Sequence, residues 1–215
     1  PKTMKSVVIL ISGRGSNMEA LLAAVARGEL PVRVAAVISN RPDAKGLETA
    51  AAQGVPTAVV DHKAHVGCEV FDAALAECID GYAPDLVVLA GFMRILTEGF
   101  VRHYEGRLLN IHPSLLPSFP GLHTHQRALD EGVRIHGCTV HFVTPALDHG
   151  PVVVQAAVPV LDGDDEATLA ARVLQQEHLV YPLAVRWFAE GRLTLEGGRV
   201  RLAAERPFPA TLISP

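Results

Sequence analysis

Apolar runs and amphipathic stretches alternate along the first half of the chain. Short apolar runs predict strands at positions 6–12, 32–39, 57–60 and 86–90, with another opening at Leu108. The run at 6–12 is β-branched and continuously apolar, which is typical of a strand covered on both faces. Apolar residues at helical spacing predict helices over 18–26, 44–53 and 69–81, and one ending near Tyr104. The inner side of the 69–81 helix should carry Val70, Phe71, Ala74, Leu75 and Cys78. Strands that alternate with helices form right-handed βαβ units. The pattern therefore predicts an α/β fold, a mostly parallel, twisted sheet with helices on both faces.

The alternation loosens after Leu116. The later pattern predicts a helix over 123–131, strands over 138–143 and 152–160, a long helix from 166 to about 188, and a hairpin of 193–196 with 199–202. The sequence contains no internal repeat, linker or low-complexity tract. We therefore predict a single domain over residues 1–215, with a phosphate- or nucleotide-binding half over about 1–105 and a mixed half over about 106–215.

Composition narrows the class of protein. The chain has 215 residues, of which 49% are hydrophobic, so it can bury a substantial core; its net charge of -4 argues against a general nucleic-acid surface. No apolar run approaches the roughly 18 residues of a membrane span. Residues 1–5 lead into a strand pattern and not into a signal peptide. Cys68, Cys78 and Cys138 form no C-x-x-C motif, so we expect reduced thiols in a cytoplasmic protein with no membrane or nucleic-acid partner.

The stretch around Asn110 and His112 carries the first chemical signal. These residues are two positions apart, so their side chains leave a strand on the same face, and Pro113 keeps His112 extended. An amide donor beside a titratable imidazole is what acyl transfer needs to hold an oxyanion and move a proton. The alternative interpretation is turn chemistry at Asn110 and a structural histidine.

The segment Gly13–Asn17 follows the first strand and opens a helix, the geometry that presents backbone N–H groups to an anion. Ser16 and Glu19 have the spacing of a capping box. Neither a P-loop nor a complete G-x-G-x-x-G is present, because Met18 stands at the third Gly position, and Asn40-Arg41 supplies no acidic ribose ligand. We expect a single phosphate here; the alternative is a plain βα turn.

Three predicted loops lie at carboxyl ends of strands: Gly13–Asn17, Gly91–Leu96 and the Asn110–His112 pair. In an open α/β sheet these ends share one edge, and ligands bind there. We therefore expect a phosphate loop and a catalytic pair to face one crevice.

The histidines raise the alternative of a metal site, because six of the ten fall between His112 and His149. His123 and His125, with His136 and His141, could supply imidazole ligands. Carboxylates and cysteines near them lack a recognisable ligand spacing, so we expect no metal.

Five motifs occur in order along the chain: Gly13-x-Gly15-Ser16-Asn17, Ala90–Leu96 (AGFMRIL), Asn110–Pro117 (NIHPSLLP), Pro120–His125 (PGLHTH) and Leu147-Asp148-x-Gly150-Pro151. From about Val7 to Leu195 the chain resembles the glycinamide ribonucleotide (phosphoribosylglycinamide) formyltransferases of purine synthesis. The resemblance implies a Rossmann-like formyltransferase fold. It also implies transfer of the formyl group of 10-formyltetrahydrofolate, as co-substrate, to the amine of glycinamide ribonucleotide.

The resemblance implies catalytic roles for Asn110, His112 and Asp148. Asn110 and His112 would stabilise the oxyanion that forms when the amine attacks the formyl carbon. Asp148 would hold His112 and favour its protonated form, and a water held by Asp148 would relay the proton towards folate N10. The amine is itself the nucleophile, so no Ser or Cys nucleophile is needed. The alternative for Asp148 is a structural turn residue.

The resemblance also implies the binding residues. Gly15, Ser16 and Asn17 would hold the phosphate, and Glu177 would contact the rest of the ribonucleotide, unless it is an ordinary helix-surface carboxylate. The folate pocket would be lined by Met93, Arg94, Ile95, Leu96, Thr144, Pro145, Ala146, Leu147 and Asp148. His141 would support the catalytic group. The second half of the chain would thus be the catalytic and folate-binding half.

One position departs from the family pattern, and three alternatives to the implied function remain: two related folate enzymes and a binding module. Cys68 stands where the family usually carries an Arg, three residues before Phe71-Asp72, and that Arg is associated with the glutamate tail of the folate. Methionyl-tRNA formyltransferase and formyltetrahydrofolate hydrolase share the same chemistry, but we expect neither the tRNA-binding nor the regulatory domain here. A non-catalytic folate or phosphoribosyl binding module is the alternative from another class. We expect small-molecule substrates and a monomer or weak homodimer.

Overall fold

The computed structural model describes residues 3–203. The strands are β1 (Lys5–Ile11), β2 (Val32–Ser39), β3 (Thr57–Val59), β4 (Leu86–Leu89), β5 (Leu108–His112), β6 (Ile135–Phe142), β7 (Val152–Pro159), β8 (Leu193–Glu196) and β9 (Arg199–Leu202). The α-helices are α1 (Ser16–Ala26), α2 (Lys45–Ala52), α3 (Cys68–Asp80), α4 (Glu98–His103), α5 (Thr124–Glu131) and α6 (Glu166–Ala189). Within residues 3–203, no helix combines the length and the apolar character needed to cross a bilayer.

Seven strands form one sheet in the order β3-β2-β1-β4-β5-β6-β7. The pairs among β1, β2, β3, β4 and β5 are parallel, whereas β6 and β7 pair antiparallel. Strands β8 and β9 form a separate antiparallel hairpin. The predicted α/β fold with a mostly parallel sheet and a mixed second half is confirmed.

The chain divides into two compact units, and the first contains residues up to Asn110 together with 142–145. Every residue of β1 after Lys5 is buried, as expected for a continuously apolar run inside a parallel sheet. A hydrophobic cluster packs the sheet against α3 and α4; its members include Val8, Leu10, Ile38, Phe71, Leu75, Ile79, Phe100 and Tyr104. Because β1 and β4 run parallel, the loops that follow them leave the same edge of the sheet.

The second unit contains residues 111–141 and, within the described part of the chain, 146–203. Strand β7 lies close against Gly137 of β6, where a Cβ would lie 1.9 Å from the carbonyl oxygen of Ala156. Only glycine fits that position. Helix α6 begins with a capping box, in which the Asp165 carboxylate accepts the Thr168 N–H at 2.8 Å and the Thr168 hydroxyl accepts the Asp165 N–H at 3.0 Å.

Most predicted element bounds agree with the structure within two residues. Strand β6 is the exception, because it starts at Ile135, three residues earlier than predicted. Val70 is exposed, although its spacing in α3 placed it on the inner face with Phe71 and Leu75. The organisation of residues 1–215 as one domain, divided near residue 105, stays a prediction.

Candidate active site

The predicted phosphate-binding residues lie where the loop after β1 meets α1. Gly15 ends the loop, and Ser16 and Asn17 are the first two residues of the helix. Gly15 has a left-handed backbone, at φ 68° and ψ 54°, and caps α1 without a side-chain hydrogen bond. The predicted capping box is therefore wrong: Ser16 is already inside the helix, and the Glu19 carboxylate lies 3.5 Å from the Arg14 guanidinium instead. A helix N-terminus without a side-chain cap presents its first-turn N–H groups to an anion.

Two glycines give this loop its shape. Gly15 has a positive φ, and a Cβ there would lie 3.2 Å from the Ile11 side chain. Gly46, in the first turn of α2, donates its N–H to the carbonyl oxygen of Gly13 at 3.0 Å. A Cβ on Gly46 would lie 2.8 Å from the carbonyl oxygen of Arg14. Helix α2 therefore holds the loop through direct backbone contact.

The loop over 91–96 follows β4 and contains four predicted folate-binding residues. The side chains of Met93 and Ile95 are 71% and 80% exposed, so this loop presents apolar surface. Apolar surface with a few polar groups is typical of sites for flat organic ligands. The Arg94 guanidinium carbon lies 4.4 Å from the centroid of the Phe71 ring, a cation–π contact. Leu96, at the end of the loop, is half-buried.

Asn110 and His112 occupy alternate positions of β5, as predicted. Asn110 is half-buried and His112 is buried. The strand ends at His112, immediately before Pro113. The side chains therefore leave the strand on the same face at its carboxyl end.

The structure brings together His112 and Asp148, both in the second unit. The Nδ1 atom of His112 lies 3.6 Å from Oδ1 of Asp148, and each side chain is 8% exposed. On the other side of the ring, Nε2–H donates to the carbonyl oxygen of Phe119 at 2.9 Å. The ring therefore lies between two acceptor groups, hydrogen-bonded to the Phe119 carbonyl and within ion-pair distance of the Asp148 carboxylate.

The Asp148 carboxylate is held in place by backbone geometry. Its Oδ2 accepts the N–H of Gly121 at 2.8 Å. Asp148, Phe119 and His123 all have left-handed backbones, with φ of 51°, 50° and 56°. Non-glycine residues in this region carry a cost of order 1–3 kcal/mol each and cluster at functional sites. The loop backbone thus aims one carbonyl and one carboxylate at the His112 ring.

Buried hydrogen bonds hold the backbone that follows His112. The Thr139 hydroxyl on β6 donates to the carbonyl oxygen of Ser114 at 2.7 Å and accepts the N–H of Leu116 at 3.1 Å. Gln155 on β7 donates to the carbonyl oxygen of Leu116 at 2.9 Å and to the Thr139 hydroxyl at 3.0 Å. This network holds the backbone of the proline-rich segment that follows β5.

A pair of histidines lies close to the same loop. His125 Nδ1 and His136 Nε2 are 3.1 Å apart, so one ring donates to the other. Burial lowers the pKa of His136 to about 4, and the charges of His125 and His112 lower it further. Burial likewise lowers the pKa of His125, partly opposed by Glu166. The pair is therefore neutral near neutral pH.

The remaining predicted site residues fall in both units. Glu177 on α6 is buried, so it is not a helix-surface carboxylate; its charge adds to burial in raising the pKa of the Cys138 thiol to about 12. His141 is buried at the end of β6, beside a register shift that re-aims side chains. Thr144 and Pro145 belong to the first unit, and Ala146 and Leu147 to the second. The roles assigned to all these residues stay predictions.

The sequence pattern does not predict three groups of this site: the Phe119 carbonyl, the Gly121 N–H and the Thr139 hydroxyl. The Pro120-Gly121 pair signals a turn, but not which atom faces the histidine. A residue before proline favours extended backbone, so nothing local indicated the left-handed Phe119. Across residues 3–203, no group of three or more His, Cys, Asp or Glu side chains has a geometry that could hold a metal ion.

Comparison with known proteins identifies the family. The formyl transferase family matches residues 4–185. The phosphoribosylglycinamide formyltransferase of Escherichia coli is 52% identical over 204 residues, covering 95% of this chain and 96% of that protein. The glycinamide ribonucleotide transformylase 1 structure from Symbiobacterium toebii is similar at TM-score 0.91 and 50% identity, covering 94% and 95% of the two chains. A formyltetrahydrofolate deformylase from Burkholderia mallei is similar at TM-score 0.86 and 29% identity, covering 94% of this chain and 71% of that one. A family match over residues 4–185 and high identity over nearly full length establish that this chain belongs to the formyl transferase family.

Proposed function

We propose that this protein transfers the formyl group of 10-formyltetrahydrofolate to the amine of glycinamide ribonucleotide, in de novo purine (IMP) synthesis. The observation that carries the proposal is the buried contact of His112 with Asp148, in which Nδ1 and Oδ1 are 3.6 Å apart. The 52% identity to the Escherichia coli phosphoribosylglycinamide formyltransferase supports this substrate pair, and the 29% identity to the deformylase favours it over hydrolysis.

The proposed reaction needs no covalent enzyme intermediate. The amine nitrogen attacks the formyl carbon, which becomes tetrahedral and places negative charge on its oxygen. A new C–N bond forms, the bond from the formyl carbon to folate N10 breaks, and one proton passes from the amine to N10. The products are formylglycinamide ribonucleotide and tetrahydrofolate.

In this mechanism Asn110 donates a hydrogen bond to the developing oxyanion, and the positive charge of the protonated His112 ring stabilises the same oxyanion. Removing one such donor typically costs about 10²–10³ in rate. Asp148 keeps a negative charge beside His112, and the N–H of Gly121 fixes the direction of the carboxylate. The protonated ring is the form that can face both Asp148 and the Phe119 carbonyl as a donor. A water held by Asp148 carries the proton from the amine towards N10.

The substrates are assigned to separate groups of residues. Gly15, Ser16 and Asn17 hold the phosphate at the N-terminus of α1, and Glu177 contacts the rest of the ribonucleotide. The folate lies along the exposed apolar loop Met93–Leu96 and the segment Thr144–Asp148, and His141 supports the catalytic group.

We assign the protein to the cytoplasm as a monomer or weak homodimer; its three cysteines, all within the described residues, are free thiols.

An absorbance assay for tetrahydrofolate release tests the reaction. We expect release from 10-formyltetrahydrofolate when glycinamide ribonucleotide is present, and little release without it. Equal release in both cases identifies a hydrolase. The variants Asn110→Ala and His112→Ala separate an enzyme from a binding module: turnover should fall by about 10²–10³, while both ligands still bind.

A further inference from the structure

Ser12 connects the two predicted substrate loops of the first unit. It is the residue between the end of β1 and the anion loop that starts at Gly13. Its hydroxyl accepts the backbone N–H of Met93, in the exposed loop after β4, at 2.8 Å. Strands β1 and β4 are parallel neighbours, so both loops leave the same edge of the sheet.

The direction of the Ser12 hydroxyl is set by a second residue. Its single proton is donated to Oδ1 of Asn40 at 2.5 Å, which turns a lone pair towards the Met93 N–H. Both Ser12 and Asn40 are buried. Asn40 is itself anchored, because its carbonyl oxygen is 2.9 Å from Nδ1 of His62 and accepts the His62 N–H at 3.3 Å. A directed chain of hydrogen bonds therefore runs from Met93 through Ser12 to Asn40.

This chain adds a buried hydrogen bond at the middle of a loop that side-chain packing also holds, because Phe92 and Leu96 pack against the hydrophobic cluster and Arg94 lies over the Phe71 ring. The N–H of Ala90 donates to the carbonyl oxygen of Leu10 at 2.9 Å, before the loop. The N–H of Thr97 donates to the Asp72 carboxylate at 2.7 Å, after it. Between these points the Met93 side chain is mostly exposed, so packing does little to fix it. The bond to Ser12 joins the backbone N–H of Met93 directly to the end of β1.

We propose that Ser12 is a positioning residue for the formyl-donor loop, acting through the Met93 backbone and oriented by Asn40. The proposal rests on the function proposed above, because it takes residues 93–96 as the folate-binding loop. A buried hydrogen bond that holds backbone in one place acts on the ligand that uses that backbone. Loss of the Ser12 hydroxyl should therefore weaken folate binding and spare the ribonucleotide, whose loop is also held by Gly46.

The test compares Ser12→Ala with a matched control, Ser39→Ala. Ser39 is also a buried serine at a strand end, but its hydroxyl bonds within its own turn, donating to the Arg41 carbonyl and accepting the Arg41 N–H. Ser12→Ala should raise the KM for 10-formyltetrahydrofolate, and the Kd for tetrahydrofolate by calorimetry, about tenfold. The KM for glycinamide ribonucleotide should stay within about twofold. Ser39→Ala should leave all three values near those of the wild type.

Substitutions at Asn40 provide a second, independent test. Asn40→Asp keeps an acceptor for the Ser12 hydroxyl and should retain folate affinity, whereas Asn40→Ala should lose it as Ser12→Ala does. Because both residues act through one bond to Met93, the double alanine variant should bind tetrahydrofolate no more weakly than either single variant. If Ser12→Ala does not fold, Asn40→Ala and Ser12→Cys carry the same comparison.

The outcomes separate the two proposals. A wild-type protein without amine-dependent tetrahydrofolate release overturns the proposed function. An active wild type whose Ser12→Ala variant keeps its folate affinity overturns the positioning role alone. Equal folate losses in Ser12→Ala and Ser39→Ala, or strictly additive losses at positions 12 and 40, also overturn it.

Discussion

His112 presents its Nδ1 atom to Oδ1 of Asp148 at 3.6 Å, with both side chains almost completely shielded from solvent. The carboxylate cannot turn away freely, because its other oxygen accepts the Gly121 N–H at 2.8 Å. A fixed negative charge beside a buried imidazole is the feature on which the proposed proton chemistry depends.

Replacing Asp148 by Asn should therefore lower turnover without abolishing folate binding. The amide oxygen can still accept the Gly121 N–H, but the negative charge opposite His112 is lost. We expect kcat to fall by about 10²–10³, with the Kd for tetrahydrofolate changed only a few-fold. Asp130→Asn is the control, since that carboxylate accepts a bond from the Gln126 side chain on the exposed surface. A pH–rate profile of Asp148→Asn that overlays the wild type would contradict the protonic role.

Two glycines of the anion loop offer a matched pair for the phosphate assignment. Gly15→Ala introduces a side chain at positive φ and 3.2 Å from Ile11, whereas a Cβ on Gly13 meets nothing within 4 Å. Gly15→Ala should raise the KM for glycinamide ribonucleotide about tenfold or more and spare the formyl donor. Gly13→Ala should change it little. Similar kinetics for both variants would argue against a phosphate at the N-terminus of α1.

The phosphate itself can be removed from the substrate. Dephosphorylated glycinamide riboside should react with a kcat/KM lower by about 10², because it forgoes charge-assisted hydrogen bonds to backbone N–H groups. Inorganic phosphate should compete with the ribonucleotide and not with the riboside. Equal efficiency with the two compounds would remove the phosphate site.

The low pKa of His136, which is paired with His125, predicts how the free energy of unfolding depends on pH. The pKa of His136 is lowered from its ordinary value of 6.5 to about 4 in the folded protein. Between pH 6.5 and 4 the unfolded chain therefore binds about one more proton than the folded chain at this residue. Its contribution to the free energy of unfolding is full above pH 6.5 and falls by up to ~1.4 kcal/mol per pH unit as the pH drops towards 4.

The change that isolates this effect is His136→Gln, measured by urea unfolding at pH 7.5, 5.5 and 4.5. The variant should lose that part of the slope, because Gln does not titrate. The exposed His149, replaced by Gln, should leave the slope as in the wild type. An unchanged slope in His136→Gln would show that the pair does not drive the loss of stability.

Cys68 predicts an altered preference for the folate tail. It is exposed at the first position of α3. The resemblance described above implies an Arg at this position, associated with the glutamate tail of the folate. Cys68→Arg should lower the KM for 10-formyltetrahydrofolate about two- to fivefold, the size expected of an exposed ion pair. Cys68→Gln serves as the uncharged control, and an analogue without glutamate should not distinguish the variants. A similar gain in Cys68→Gln would exclude a charge effect.

Local pattern was enough to predict most of the fold and the candidate residues. Strand β2 and the closing hairpin were predicted residue for residue, because a buried run and a Gly-Gly turn are short-range signals. The start of α1 was missed because Ser16 and Glu19 have capping spacing, while the left-handed Gly15 already supplies the cap. Val70 was misplaced because helical spacing gives a face, and the neighbouring elements decide how wide the buried face is.

The sequence by itself determined the order of strands and helices, and which side chains stand at strand ends, since both follow from periodicity and turn residues that act over a few positions. Only the tertiary structure decided which of these groups meet. The bond from Met93 to Ser12 spans 81 positions and that from Gly121 to Asp148 spans 27. The direction of the Asp148 carboxylate depends on a left-handed backbone that Asp adopts only occasionally. Long-range contacts and strained backbone are stable only when the surrounding packing holds them, so they become visible only in the folded chain.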